Sequence, residues 1–76
     1  MLRRLSLEEA EAKLHRALDE AVLADRAYLR VIHGKGTGAI RRLVQTVLRR
    51  DPRVKQFTTA PAHQGGSGAT LVEFVP

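Results

Sequence analysis

Between residues 33 and 38 every second position is glycine: His33-Gly34-Lys35-Gly36-Thr37-Gly38. What flanks this run matters as much as the run itself. Ala27-Tyr28-Leu29-Arg30-Val31-Ile32 precedes it, rich in β-branched and aromatic residues, and reads as a short, largely buried strand. After it, Ile40, Leu43, Val44, Val47 and Leu48 recur at helical spacing. That predicts a helix from about Gly38 to Arg50, with Arg41, Arg42, Gln45 and Arg49 turned outward. A strand delivered through a glycine turn into a helix commits the chain to an α/β arrangement.

The remaining elements follow from local signals. Ser6-Leu7-Glu8-Glu9 has the form of a capping box, in which Ser6 and Glu9 satisfy each other's backbone N–H groups. Leu7, Ala10, Leu14, Ala17, Leu18 and Ala21 then mark one face of a helix expected over Leu7 to Ala24. Asp51-Pro52 stops the second helix, because proline disfavours the α region for the residue before it. Val54–Ala60 and Ala69–Phe74 are strand candidates. The joint Pro61 to Gly68 is too long for a tight hairpin and is expected to be a mobile loop. The order is α-β-α-β-β, and its strand-helix-strand run implies a parallel pair with a right-handed crossover. A chain of 76 residues buries only about 60% of its unfolded surface, so three strands and two helices make a lean core. A further strand ahead of Ser6 would complete it.

Composition excludes several classes of function. With no cysteine there is no disulfide framework, thiolate zinc site or cysteine nucleophile, which suits a reducing cytoplasm. No apolar run nears the roughly 20 residues of a membrane span, so no membrane partner is expected. Met1 to Leu5 lacks the character of a signal peptide. Charge is the positive clue. Residues 1–25 carry four basic and six acidic side chains, whereas residues 26–76 carry nine basic and two acidic. A basic half of this kind is the footprint of a polyanion binder, and equally of a solvated basic surface. Arginine outnumbers lysine ten to three, which favours bidentate phosphate contact. One Tyr and two Phe are too few for a base-stacking platform, so backbone contact with structured or branched nucleic acid is the better fit.

Chemistry concentrates at the glycine run. The first turn of a helix leaves N–H groups without partners and carries roughly half a positive charge. Glycines let the backbone approach an anion closely, Lys35 adds a formal charge, and Thr37 offers a hydroxyl. Phosphate is the natural occupant. The spacing is neither that of a Walker loop nor that of the dinucleotide fingerprint. His33 has two readings, a strand-end histidine bonded to a carbonyl or an acid-base group aimed at a phosphodiester. His15 reads as solvated, and His63 as a loop residue able to close over a ligand. In the basic half only Asp51 and Glu73 are carboxylates, neither near the glycine run, and the histidines lack metal-binding spacing, so a two-metal centre is not expected.

These segments resemble an Smr (small MutS-related) domain. The resemblance is carried by Ser6-Leu7-Glu8-Glu9-Ala10, by Val31-Ile32 with the glycine run, by the helix to Asp51-Pro52-Arg53-Val54, and by Ala60-Pro61 with Gly65-Gly66-Ser67-Gly68-Ala69-Thr70. It covers nearly the whole chain and is strongest to the domains that end the second bacterial MutS paralogue. It implies a two-layer α/β sandwich of order β-α-β-α-β-β, similar to the C-terminal domain of the third translation initiation factor, with the first strand largely missing here. It also implies DNA binding and, in many members, nicking endonuclease activity, linked to DNA repair and suppression of homologous recombination. Some relatives engage RNA or the ribosome.

The family's His-Gly-x-Gly-x-Gly motif maps onto His33 to Gly38, which makes His33 a candidate catalytic residue. Gly34, Lys35, Gly36, Thr37, Gly38, Arg41 and Arg42 become the expected phosphate contacts, with Arg49 extending them. A second motif, Leu-Asp-x-His/Arg-Gly, ends the family's first strand. Aligned on the first helix, it places Arg3 at the His/Arg position, Arg4 at the glycine and Met1 at the aspartate. Arg3 is therefore a second catalytic candidate, while the carboxylate is absent. No cofactor is called for, and a divalent metal is left open without a ligand cluster to hold it. The chain reads as a single domain, 1–76, cut from the C-terminal end of a longer protein. With the first strand gone, the edge at Arg30–Ile32 is expected to pair with another chain, as a homodimer or by a swapped N-terminus.

Overall fold

The computed structural model describes residues 1–36 and 38–76. Helix α1 spans Leu7–Leu23 and opens on the full capping box, with Ser6 Oγ accepting from the Glu9 N–H and Glu9 Oε1 from the Ser6 N–H. It buries Ala10, Leu14, Leu18 and Ala21, but Leu7 in its first turn stays half exposed. Strand β1 covers Tyr28–Ile32, helix α2 Ala39–Arg50, strand β2 Val54–Thr59 and strand β3 Ala69–Phe74.

The sheet order is β1-β3-β2, with β3 antiparallel to both neighbours. This corrects the expected parallel pair. Strands β1 and β2 do run the same way, but β3 is inserted between them. The reason lies in β3 itself, where Ala69, Thr70, Val72 and Phe74 are all buried, whereas β1 buries only Val31 and β2 nothing fully. The strand best suited to burial on both sides takes the centre. A bulge between Val54 and Gln56 bends β2 where it meets Phe74.

Both helices pack against the sheet to give two layers, and the molecule is correspondingly thin, 33 × 28 × 19 Å. Leu14, Leu18, Val31, Val44, Leu48 and Val72 fill the interface between the layers. Arg53 locks the far ends of the helices together, bonding Asp19 of α1 at 3.0 Å and Asp51, the C-cap of α2, at 2.9 Å. The hydrogen bonds from Arg53 hold the Asp51 carboxyl below its usual range.

Among the described residues no strand precedes α1. Instead the Leu2 N–H donates to the Ile32 carbonyl at 2.8 Å, and the Leu2 side chain is fully buried in the core. The joint between β2 and β3, expected as a mobile loop, is folded into two 3₁₀ turns, Ala62–Gln64 and Gly66–Gly68. The Pro61 carbonyl accepts from Gln64 and Gly66, and the Gly65 carbonyl from Gly68, so the segment is bonded to itself.

Candidate nucleic-acid interface

Strand β1 ends at Ile32, and the next two residues turn inward. The N–H groups of His33 and Gly34 both donate to the Gly68 carbonyl, at 3.0 and 2.9 Å. That bond draws the second glycine segment against the first. The N–H groups of Lys35, Gly36 and Gly38 have no protein acceptor among the described residues. Gly38, at φ +87°, is the N-cap of α2 and supplies no side-chain cap. The first helical bond runs from Arg42 N–H to the Gly38 carbonyl, which leaves the N–H groups of Ile40 and Arg41 facing out of the helix end.

A cleft of about 240 Å³ lies over this end, lined by Arg3, Arg4, His33, Lys35, Arg41 and the intervening backbone of Gly34, Gly36 and Gly38 to Ile40. Arg3 lies across Gly34. A Cβ there would stand 3.2 Å from the Arg3 Cγ, and Gly34 has φ +77°, so glycine is needed for both space and conformation. Arg4 has φ +64°, a left-handed backbone that fits its alignment with a family glycine. Arg41 is steadied by a 3.2 Å bond to Thr59 Oγ1 at the end of β2. Four cations thus converge on the positive end of a helix dipole, and among the described residues no carboxylate lines the cleft. Such a cluster opposes its own stability unless an anion joins it.

His33 is 4% exposed. Its Nδ1 lies 3.0 Å from the Gly34 carbonyl and its Nε2 2.9 Å from Thr70 Oγ1. A carbonyl only accepts, so Nδ1 carries a proton and donates it. In the neutral ring Nε2 then accepts from the Thr70 hydroxyl. Both nitrogens are engaged within the protein, and the ring braces the glycine run to the start of β3.

Of the residues expected at the site, the structure gathers Arg3, His33, Gly34, Lys35, Gly36, Gly38 and Arg41 around one cleft. Thr37 lies outside the described residues. Arg42 is exposed and stands beside the cleft, its guanidinium 3.9 Å from where a Gly38 Cβ would be. Arg49 is at the other end of α2, about 12 Å along the axis from Arg41. His15 pairs with Glu11 on the surface of α1 at 3.6 Å. Neither Asp51, engaged by Arg53, nor Glu73, paired with Lys55 at 3.6 Å, faces the cleft. Among the described residues no three His, Asp or Glu side chains converge into a metal-ligating cluster. Sequence reasoning missed two participants. In the sequence Arg4 reads only as a departure from a glycine, and Thr70, although it lies in a segment that carries the family resemblance, does not reveal that it meets a histidine 37 residues away.

The Smr domain model matches residues 2–75. The chain belongs to the Smr domain family. This Smr domain is 45% identical over 75 residues to Endonuclease MutS2 of Thermus thermophilus, across 99% of the chain and 10% of that relative. It is 51% identical over 72 residues to Endonuclease MutS2 of Leuconostoc mesenteroides, across 95% of the chain and 9% of the relative. The Smr domain therefore spans about a tenth of the length of these curated relatives. In three dimensions it matches the crystal structure of the Smr domain of T. thermophilus MutS2 with a TM-score of 0.94, at 45% identity, covering 99% of this chain and 94% of that one. YdaL, a stand-alone small MutS-related protein from Escherichia coli, matches at a TM-score of 0.83 and 26% identity, covering 99% of this chain and 63% of YdaL. The two-layer α/β architecture is that of the family.

Proposed function

We propose that this Smr domain grips the sugar-phosphate backbone of DNA in the cleft at the start of α2, as the nucleic-acid-binding part of a nicking endonuclease. The observation that carries this reading is the meeting of Arg3, Arg4, Lys35 and Arg41 with the backbone N–H groups of Lys35, Gly36 and Gly38, which have no protein acceptor among the described residues, in a cleft that no described carboxylate lines. Arginine and backbone amides together suit a phosphodiester oxygen, a kind of contact that positions the backbone and carries no sequence information directly. By the same resemblance, the domain would serve DNA repair and suppression of recombination within a longer protein.

Catalysis asks for more than binding. His33 has both ring nitrogens in use, and the carboxylate that would act with it is missing, so nicking by this chain is expected to be weak. Robust relaxation of a supercoiled plasmid that His33→Ala abolishes would overturn that expectation. The binding reading is tested with a labelled duplex followed by fluorescence anisotropy. Lys35→Glu is expected to weaken binding about tenfold or more, since a charge-assisted contact is worth roughly 1.5–3 kcal/mol. Affinity that ignores both Lys35→Glu and salt would sink it. An RNA duplex that outcompetes DNA would point instead to an RNA or ribosome ligand. Self-association belongs to the same proposal. The alternation of β1 turns the backbone groups of Tyr28 and Arg30 away from β3, leaving an edge that a second copy can pair with, and sedimentation as a monomer at high concentration would exclude it.

A further inference from the structure

Gly34 and Lys35 form a ridge with a hollow on each side. One side is the cleft over α2. The other is a concavity of about 460 Å³ on the opposite face of the sheet, and Arg3, Gly34 and Lys35 line both. Arg30 and His63 bring further charge and polarity to the second hollow, beside Ile32, Gln64, Gly65 and Gly68. Arg30 is exposed and alternates with the inward-facing Leu29 and Val31, so it rises from the sheet face that carries no helix. His63 comes from the first 3₁₀ turn, with the Gln64 side-chain amide 3.4 Å from its Nε2. Among the described residues no carboxylate lines this hollow either. The acid on that face, Glu73, is already engaged by Lys55 and Gln56, and among the described residues Arg30 has no ion-pair partner.

We infer that the second hollow is a second phosphate site, and that one nucleic-acid strand crosses the end of the sheet over Gly34 with a phosphate on each side. This rests on the backbone-binding reading above and extends it by assigning Arg30 and His63 to the contact. Two features support a single strand over two separate ligands. The hollows share three residues, which is too close for independent polyanions, and Arg3 bridges them by lying across Gly34. Neither lining contains a Phe, Tyr or Trp ring among the described residues, and of the two histidines His33 is buried with both ring nitrogens bonded within the protein, so charge and hydrogen bonds hold the strand more than a platform of stacked bases.

The test compares Arg30→Gln, Arg41→Gln and the double variant with the unaltered chain. The probe is a fluorescein-labelled DNA duplex of about 24 base pairs, titrated between roughly 50 and 300 mM NaCl, where each lost phosphate contact lowers the salt slope by about 0.9. Arg30→Gln is expected to weaken binding about three- to tenfold and to flatten the slope by about one contact, with the double variant losing about two. Arg30 is exposed, so far-UV circular dichroism should show no change in fold. If Arg41→Gln weakens binding while Arg30→Gln changes neither affinity nor slope, the second site is refuted and the first stands. If the unaltered chain fails to bind, or Arg41→Gln has no effect, the underlying reading falls and takes this inference with it.

Discussion

Gly36 separates the demands of folding from those of binding. Its φ is not in the left-handed range, and a Cβ built there meets nothing within 4 Å. Neither conformation nor packing requires a glycine at this position, in contrast to Gly34. What a methyl group would occupy is the mouth of the cleft, where an anion must come close to the backbone. Gly36→Ala is therefore expected to leave thermal stability unchanged or to raise it by about 0.4–1 kcal/mol through the unfolded chain, while weakening DNA binding. Melting temperature and anisotropy measured on the same sample check both halves. A fall in stability with binding intact would mean that the residue is structural.

The two helices are built to opposite specifications at their N-termini. Helix α1 has its reciprocal cap and Glu8 and Glu9 in the first turn, as its dipole prefers. Helix α2 has a left-handed glycine as its N-cap residue, which offers no side chain to cap with, and no acid in its first turn, and Arg41 and Arg42 sit where cations oppose the dipole. An acid introduced at the start of α2 should exchange function for stability. Ala39→Glu is expected to gain about 0.3–1 kcal/mol in a urea titration and to abolish DNA binding by filling the cleft with a carboxylate. A variant that still binds tightly would show that the anion sits elsewhere. The helices, the strands and the Ser6 cap were legible because each is written in local periodicity and turn chemistry. The strand order was not, since it depends on the relative burial of β3 and β1, which no single segment reveals. For the same reason the glycine run could be recognised as an anion loop, yet its partners Thr70, Gly68 and Arg4 come from separate elements and leave no local trace.

At the scale of the whole molecule, charge and packing are unevenly shared. Six of the eight acids lie in residues 1–25, most of them along α1, while Arg3, Arg4, Arg30, Lys35 and Arg41 collect at the end of the sheet where β1 stops. The thin core leaves little reserve, and Leu2 shows it. A leucine flanked by Met1 and two arginines has no periodic partner to mark it as core, yet it is as buried as Leu14. Leu2→Ala is expected to lose about 2–4 kcal/mol, a large share of the roughly 5–15 kcal/mol that holds a domain folded. A urea midpoint unmoved by this change would mean that the N-terminal residues are not seated on Ile32. The pair of hydrogen bonds accepted by the Gly68 oxygen carries a different consequence. One atom latches together two loops more than thirty residues apart, so the aim of Lys35 is set partly from outside its own segment. Lesions between residues 65 and 68 should therefore blunt the grip on a polyanion without removing a single charge, and a screen for weakened binders would find them scattered far from the residues that do the holding.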